Sequence, residues 1–136
     1  MKTARDLMTS PAQCLAPEET LVDAARMLSK YDVGSMPVVD EDTLVGVLTD
    51  RDIVIKGIAQ GKDPAETPVS EIATADVVTV APDDDAKSVA KVLTEHQIRR
   101  VPVVEDGKVL GVISQADVAL ELDNSTAGEV VEGISR

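Results

Sequence analysis

The segment LTDRDIV at residues 48–54 returns as ISQADVA at residues 113–119, and these two copies decide how the chain is organised. Each copy follows an apolar run and places a hydroxyl residue three positions before an aspartate. In the first copy, the spacing of Thr49 and Asp52 predicts a capping box, in which two residues exchange hydrogen bonds at the start of a helix. The same spacing suits a ligand site, because a helix N-terminus attracts phosphate and an aspartate can accept hydrogen bonds from both ribose hydroxyls. Spacing alone leaves both interpretations open.

The two copies belong to an internal repeat that covers most of the chain. When Thr49 is laid on Ser114, Asp52 falls on Asp117 and the sequence matches itself without insertions. The aligned ranges are 4–53 with 69–118, and the shared segments include Ala16-Pro17 with Ala81-Pro82, Pro37-Val38-Val39 with Pro102-Val103-Val104, and Gly46-Val47 with Gly111-Val112. Chance alignments rarely keep proline, glycine and the apolar pattern in register over such a length, so the chain is a doubled unit.

The order of apolar and turn-forming segments predicts the same elements in both copies. A short strand comes first, then a helix capped by Thr20 or Asp85, then two strands, and finally a helix that begins at the repeated motif. Asp106-Gly107 predicts a tight hairpin in the second copy. The predicted fold class is α/β, of the α+β kind, with two β-α-β-β-α repeats. The strands predicted to pair are Met36 to Asp40 with Leu44 to Thr49, and Val101 to Glu105 with Val109 to Ser114.

The repeat register also sets the predicted boundaries. The first repeat is expected at residues 1–59 and the second at 69–122, joined by a linker at 60–68 that contains glycine and two prolines. Residues 123–136 are small, polar and acidic, which predicts a mobile tail. The alternative for this tail is a short segment that docks on a partner.

Composition argues against several classes of function. The formal net charge of −12 makes nucleic acid and anionic membranes unexpected partners. No apolar run approaches the length of a membrane span and the N-terminus lacks a secretory apolar region, so a cytoplasmic protein is expected. One cysteine, Cys14, and one histidine, His96, cannot make the usual zinc sites, and no metal is expected. The lone cysteine also rules out a disulfide within the chain.

Three segments carry a resemblance to a known family: DLMT at 6–9, PVVDEDTLVGVLTDRD at 37–52 and RRVPVVEDGKVLGVISQAD at 99–117. Together they resemble a tandem pair of cystathionine-β-synthase-type (CBS) domains, the arrangement called a Bateman module, and are similar to stand-alone two-repeat proteins of actinobacteria. The resemblance implies two repeats packed about a pseudo-twofold axis with two clefts between them, a homodimer, and a regulatory rather than catalytic role. It makes AMP, ADP, ATP and S-adenosylmethionine the candidate ligands.

The resemblance also implies roles for individual residues. Thr49 and Asp52 would hold the ribose side of one ligand. Arg99 and Arg100 of the other repeat would meet its phosphate, because guanidinium groups make paired, charge-assisted hydrogen bonds to phosphate. Arg51, inside the first motif, either adds to this phosphate site or is an exposed helix residue paired with an acid.

The second cleft is predicted either to bind a polyphosphate more weakly or to be empty. It would use Ser114 and Asp117 but would face Gly34 and Ser35, which stand where the first cleft has two arginines. The candidates for apolar walls around a base, each of which also suits plain core packing, are Met36, Val101, Leu7 and Ile72. Glycines inside the strands, at positions 46 and 111, indicate a close backbone approach beside both motifs.

Three classes of function compete. The leading hypothesis is a regulatory module that senses an adenosyl ligand. The alternative is a ligand-free interaction or scaffold module whose two motifs only cap helices. An enzyme is not expected, because Cys14 and His96 fall in different repeats, Cys14 has no neighbouring cation in the sequence, and there is no phosphate-binding GxxxxGK loop.

Overall fold

The computed structural model describes residues 1–124, and the chain folds as two compact units. The first unit is the continuous segment Gln13–Val77, and the second joins Met1–Ala12 to the chain from Val78 onward. In chain order the elements are helix α1 (Ala4–Leu7), helix α2 (Leu21–Tyr31), strands β1 (Ser35–Asp40) and β2 (Thr43–Thr49), helix α3 (Asp50–Asp52), a π turn (Ile53–Gly57) and a 3-10 turn (Ile58–Gln60) that follow α3, a 3-10 turn (Val69–Glu71), helix α4 (Ala86–His96), strands β3 (Arg100–Glu105) and β4 (Lys108–Ser114), and helix α5 (115–124). This mixture of helices and strands confirms the predicted fold class.

Each unit contains one antiparallel hairpin together with helices, which are α2 and α3 in the first unit and α1, α4 and α5 in the second. The predicted caps are confirmed: Thr20 Oγ1 accepts from the N–H of Asp23 at the start of α2, and Asp85 Oδ1 accepts from the N–H of Ser88 at the start of α4. Strand β1 pairs with β2, and β3 pairs with β4. The predicted tight turn is also confirmed, since Asp106 and the glycine after it both have positive φ, 53° and 79°.

The first strand of each predicted repeat is reduced to a single bridging residue. Leu15 donates to and accepts from the backbone beside Val38, with N–O distances of 2.8 Å. Val80 does the same beside Val103, at 3.0 and 2.9 Å. These residues are buried, so each contributes to the core although it starts no extended ladder.

Each unit is completed by opening residues of the other sequence repeat, which we call the exchanged segments, 69–74 and 4–9. Thr74 makes two backbone hydrogen bonds with Val47 in the first unit, both of 2.9 Å. Thr9 makes two with Val112 in the second unit, of 2.9 and 3.1 Å. The compact units therefore differ from the repeats predicted at 1–59 and 69–122, because the opening residues of each sequence repeat belong to the unit that contains the hairpin of the other repeat.

The segment predicted as a linker, 60–68, is part of the first unit. The carbonyl of Thr67 accepts from the N–H of Leu21 at 3.0 Å, and that of Pro64 accepts from the N–H of Val22 at 3.1 Å. Helix N-termini leave several N–H groups without intrahelical partners, and these carbonyls satisfy two of them at the start of α2. The proline-rich composition therefore marks an ordered connection rather than a spacer.

The predicted tail at 123–136 overlaps the last described helix. Residues 123 and 124 are the last two residues of α5, and the boundary at 123 stays a prediction. The remainder of the tail lies outside the described residues. No helix within residues 1–124 has the length and apolar character needed to cross a membrane.

Each unit has its own aliphatic core. The buried residues of the first core are Leu15, Leu21, Ala24, Leu28, Met36, Val38, Leu48, Ile53, Val69 and Ile72. Those of the second core are Ala4, Val80, Val89, Leu93, Val101, Val103, Ile113 and Val118. Both cores include side chains of an exchanged segment, so these segments are part of the folding unit on which they pack.

Candidate functional site

The first motif stands where β2 ends and α3 begins. The N–H of Thr49 donates to Asp52 Oδ2 at 3.0 Å, and the N–H of Asp52 donates to Thr49 Oγ1 at 3.0 Å. This is the predicted capping box, and such a cap stabilises a helix start by about 1 kcal/mol. The cap uses only one carboxylate oxygen of Asp52 and so fixes the position of the other.

The second oxygen of Asp52 faces a lysine that the sequence reasoning missed. Lys56 Nζ lies 3.3 Å from Asp52 Oδ1. The same ammonium lies 3.3 Å from Thr74 Oγ1 and 3.5 Å from the carbonyl oxygen of Ile72, both on the exchanged segment. The Asp52 side chain is 13% exposed and that of Lys56 48% exposed, so the pair lies at the surface and adds less than about 1 kcal/mol. The i,i+4 spacing of Asp52 and Lys56 could have predicted this ion pair from the sequence.

Arg51 is exposed beside this pair. Its backbone N–H donates to Asp50 Oδ1 at 2.7 Å, and its guanidinium takes part in no ion pair within residues 1–124. Arg51 is thus exposed, as the alternative predicted, but it shows no pairing with an acid within residues 1–124. A role in binding phosphate stays a prediction.

The second motif repeats the cap with a different surrounding. The N–H of Ser114 donates to Asp117 Oδ2 at 3.2 Å, and the N–H of Asp117 donates to Ser114 Oγ at 3.1 Å. Glu121 occupies the place that corresponds to Lys56, and its Oε1 accepts from the backbone N–H of Lys2 at 3.4 Å. The capping-box interpretation thus holds for both motifs, and it is compatible with a ligand at either one.

The structure places the two predicted phosphate-binding arginines in the second unit. Arg100 lies opposite Ser114 in the β3–β4 pair, and the carbonyl oxygen of Arg99 accepts from the N–H of Gln115 at 2.7 Å. Gly34 takes the corresponding place in the first unit, where its carbonyl oxygen accepts from the N–H of Asp50 at 2.9 Å. The role of Arg99 and Arg100 toward a ligand at Asp52 stays a prediction.

The residues predicted to wall the base are core residues. Met36 and Ile72 are 2% and 3% exposed in the first core, and Val101 is fully buried in the second. Leu7 is partly buried against the second core. Core packing accounts for all four, and contact of any of them with a base stays a prediction.

The close approach indicated by the strand glycines is made by the exchanged segments. A Cβ at Gly46 would lie 3.0 Å from the carbonyl oxygen of Thr74. A Cβ at Gly111 would lie 2.7 Å from both the carbonyl oxygen of Thr9 and the sulfur of Met8. These glycines therefore let a second backbone pass beside the motif, which places the exchanged segment next to each site.

The two residues considered for nucleophilic chemistry lie in different units. Burial raises the pKa of the Cys14 thiol, which disfavours the thiolate needed for nucleophilic attack. His96 is the exposed last residue of α4. In the described part of the chain, no three histidine, cysteine, aspartate or glutamate side chains are grouped so that they could hold a metal ion.

A surface cavity of about 510 Å³ lies between α2 and the turns that follow α3 in the first unit. Its lining residues are Leu21, Val22, Ala25, Arg26, Ser29, Lys30, Ile53, Ile58 and Pro64. None of the predicted ligand residues is among them. The cavity is therefore separate from the capping-box site.

Comparison with known proteins assigns the family. The sequence profile of the CBS domain matches residues 4–57 and 69–124. The chain belongs to the CBS domain family and carries two such domains in tandem, as the resemblance predicted. It is 38% identical over 135 residues to Hypoxic response protein 1 of Mycobacterium tuberculosis, covering 98% of this chain and 94% of that protein.

Solved structures give the same fold and add ligands of their own. A crystal structure of Hypoxic Response Protein I with two coordinated zinc ions has 40% identity and a TM-score of 0.80, covering 89% of this chain and 99% of that one. A crystal structure of CBSX2 in complex with AMP has 27% identity and a TM-score of 0.79, covering 93% and 99%. The CBS domain pair of protein MJ0100, in complex with 5′-methylthioadenosine and S-adenosyl-L-methionine, has 28% identity and a TM-score of 0.77, covering 92% and 98%.

Proposed function

We propose that this protein is a non-catalytic regulatory module that senses an adenosyl ligand of the class of AMP, ADP, ATP or S-adenosylmethionine. Membership of the CBS family supports the proposal, as do the AMP complex of CBSX2 and the adenosyl complexes of MJ0100. The raised pKa of Cys14 agrees with a role without nucleophilic catalysis. Binding would stabilise one arrangement of the protein and report the ligand to a partner.

The fixed carboxylate of Asp52 is the observation that carries the proposal. Its Oδ2 is held by the N–H of Thr49, while Oδ1 lies on the partly exposed side, where Lys56 is its partner. A ribose diol can replace or share this contact without breaking the cap. Ser114 and Asp117 form the same cap in the second unit, without a lysine partner for the aspartate within residues 1–124.

A thermal-shift experiment tests the role of Asp52. A ligand at a hundred times its dissociation constant stabilises the folded state by about 2.7 kcal/mol, which a dye-based melt detects. We expect Asp52→Ala to lose the part of the AMP response that depends on the first motif, and Asp52→Ala with Asp117→Ala to lose all of it. If AMP, ATP and S-adenosylmethionine stabilise the double variant as much as the parent, the site assignment is wrong.

The capping box of α2 provides a matched control. Asp23 Oδ2 accepts from the N–H of Thr20 at 3.1 Å, so Asp23→Ala removes the same kind of cap where no ligand is predicted. We expect it to destabilise the ligand-free protein about as much as Asp52→Ala, by about 1 kcal/mol, and to keep the full AMP response.

The predicted phosphate contact can be tested by replacing both arginines. The double variant Arg99→Ala, Arg100→Ala should weaken binding of AMP while leaving binding of uncharged adenosine unchanged, because guanidinium groups interact with the phosphate charge. Equal losses for AMP and adenosine would show that the arginines act on the fold instead.

A second candidate function is a protein-interaction module in which both motifs only cap helices. An exposed apolar surface in the first unit favours it, since Val54, Ile55 and Ile58 are 54%, 46% and 57% exposed. The predicted homodimer would also use such a surface. No calorimetric binding across the adenosyl panel, together with a tight protein complex lost in Ile55→Glu, would favour this function over ligand sensing.

A further inference from the structure

The two motifs differ in charge one helical turn beyond the aspartate. In the first unit Lys56 follows Asp52 at i,i+4 and lies 3.3 Å from its Oδ1. In the second unit Glu121 follows Asp117 at the same spacing. Residues at this spacing are neighbours on a helix surface, so the charge at this position acts directly on whatever the aspartate holds.

The ammonium of Lys56 is held in place rather than extended into solvent. Thr74 Oγ1 and the carbonyl oxygen of Ile72 accept from it on the exchanged segment, at 3.3 and 3.5 Å. Because these acceptors remain when a ligand takes over the contact with Asp52, the cation stays beside the site. It can then attract an anionic group of the ligand.

In the second unit, no such cation is held beside the aspartate of the motif within residues 1–124. No lysine or arginine within residues 1–124 forms an ion pair with Asp117. Glu121 is half-buried, and its Oε1 is fixed by the backbone N–H of Lys2 at 3.4 Å. The run Asp50-Arg51-Asp52 with Lys56 sums to zero charge, whereas Gln115-Ala116-Asp117 with Glu121 sums to two negative charges.

Other charged residues near the motifs do not remove this difference. Arg100 lies opposite Ser114 in the strand pair, and Arg99 precedes it, but neither guanidinium pairs with a carboxylate within residues 1–124. Arg5 of the exchanged segment in the second unit lies 3.8 Å from Glu105 and is occupied there. The charge one helical turn beyond each aspartate therefore differs between the two motifs, positive at position 56 and negative at position 121.

We propose that the two sites take adenosyl ligands of different charge, with Lys56 and Glu121 as the specificity-determining residues. The site at Asp52 takes an anionic ligand such as a nucleoside monophosphate. The site at Asp117 takes an uncharged or cationic one, such as a thioether nucleoside or its sulfonium. This division rests on the proposed function, since it assumes that both aspartates hold a ribose.

Single-site variants of the full chain allow each site to be measured alone. Asp117→Ala leaves the first site and Asp52→Ala leaves the second. Calorimetry then gives the dissociation constants for AMP, for uncharged 5′-methylthioadenosine and for S-adenosylmethionine. The readout is the AMP preference, defined as the dissociation constant of 5′-methylthioadenosine divided by that of AMP, because a change in ribose or base contacts cancels in this ratio.

Charge reversal should move the AMP preference in opposite directions at the two sites. In the Asp117→Ala background, Lys56→Glu should lower it about tenfold, and Lys56→Gln should lower it by less. In the Asp52→Ala background, Glu121→Lys should raise it about tenfold and weaken S-adenosylmethionine. Both shifts should shrink at high salt, since screening weakens interactions between exposed charges. If Lys56→Glu does not fold, Lys56→Gln carries the test at the first site.

Two reversals of the same size, at residues that form no ion pair with Asp52 or Asp117, are the matched controls. Lys62 pairs with Glu71 at 3.4 Å, and Glu95 pairs with Lys91 at 3.9 Å. Lys62→Glu and Glu95→Lys change the net charge as the test variants do, and should leave the AMP preference within about twofold.

The outcomes separate failure of this division from failure of the proposed function. If the parent binds none of the three ligands, both the proposed function and the charge division between the sites are wrong. If ligands bind but Lys56→Gln and Glu121→Lys leave the AMP preference within about twofold, the charge division alone is overturned. If Asp52→Ala binds none of the three, there is no site at Asp117 and the division is wrong.

Discussion

Asp52 uses one carboxylate oxygen to cap the helix and leaves the other for the proposed ligand. Oδ2 closes the capping box with Thr49, and Oδ1 meets Lys56 at 3.3 Å. The structural and functional interpretations of the motif are therefore not exclusive, because the cap leaves one oxygen at the surface. The contacts of Lys56 with Thr74 and Ile72 connect this oxygen to the exchanged segment.

Replacing a strand glycine tests the close approach of the exchanged segment. Gly111→Ala would set its Cβ 2.7 Å from the carbonyl oxygen of Thr9, and Gly46→Ala would set its Cβ 3.0 Å from that of Thr74. Because overpacking against backbone is costly, we expect Gly111→Ala to lower the free energy of unfolding by about 1–3 kcal/mol, and Gly46→Ala to lower it by less. Urea unfolding measures both.

Gly34→Ala is the matched control, since the nearest atom to its Cβ would be Asp50 Oδ2 at an ordinary 3.4 Å. We expect its unfolding free energy to stay within about 0.5 kcal/mol of the parent. A Gly111→Ala protein as stable as Gly34→Ala would contradict the packing described for the exchanged segment.

Single residues of the site were predictable where the chemistry is local. The partners of Thr49 and Asp52 follow from spacing, because the cap is formed by neighbours in sequence. Lys56 could have been found in the same way from its i,i+4 position. Its contacts with Thr74 could not, because nothing in the local sequence tells which hairpin the exchanged segment will join.

At the scale of elements, the caps of α2 and α4 fix where these helices begin. Hydrogen bonding from the backbone N–H and the side chain of Ser88 lowers the pKa of Asp85 below its ordinary value of 3.8. A hydrogen bond from the backbone of Thr3 does the same for Asp6 in α1, with its side chain adding to it. Both aspartates are exposed and stabilise their helices more when they are ionised, because the carboxylate is the stronger acceptor.

Acid should therefore weaken α4 in a defined range of pH. Because the folded pKa of Asp85 is lowered, its stabilisation is complete above 3.8 and is lost as the pH falls through the folded value. Asp85→Asn keeps an oxygen acceptor for Ser88 but cannot titrate, so its unfolding free energy should fall less between about pH 5 and pH 3. Denaturant unfolding at several pH values measures the difference.

Asp83→Asn removes one charge from the same acidic run without touching this cap, and serves as the control. We expect its acid dependence to follow that of the parent. An NMR titration that places the midpoint of Asp85 at or above 3.8 would contradict the role given to Ser88.

Elements were predictable as far as their pattern repeats. The hairpins, their turn at Asp106 and the helix starts follow from alternation, glycine and capping residues. The opening strand of each repeat is shorter than predicted, since Leu15 and Val80 each form a single bridge. The helix after the first motif also departs from regular α geometry, because α3 continues as a π turn at Ile53–Gly57 and a 3-10 turn at Ile58–Gln60.

At the scale of the whole molecule, the sequence repeats and the folding units are out of phase. Leu7 and Ile72 occupy the same place in their repeats, yet each packs with the core of the other repeat's hairpin. A self-similar sequence cannot reveal this exchange, because both pairings satisfy the same apolar pattern. The boundaries at 1–59 and 69–122 describe the repeats, whereas the fold is divided after 12 and 77.

Two fragments of equal length test this division. Fragment 13–77 contains the whole first core, whereas fragment 1–65 lacks the buried Val69 and Ile72. We expect 13–77 to show the more cooperative thermal transition by circular dichroism, because burial of large aliphatic side chains is the main stabilising term. If 1–65 folds as well as 13–77, the exchanged segment does not belong to the first unit.

The central claim is that the Asp52 carboxylate holds the ribose of an adenosyl ligand. A crystal structure of the full chain grown with AMP tests it directly. We predict a ribose hydroxyl oxygen within about 3 Å of Asp52 Oδ1, with the Thr49 cap intact. AMP bound elsewhere, with Asp52 still paired only to Lys56, would contradict the claim.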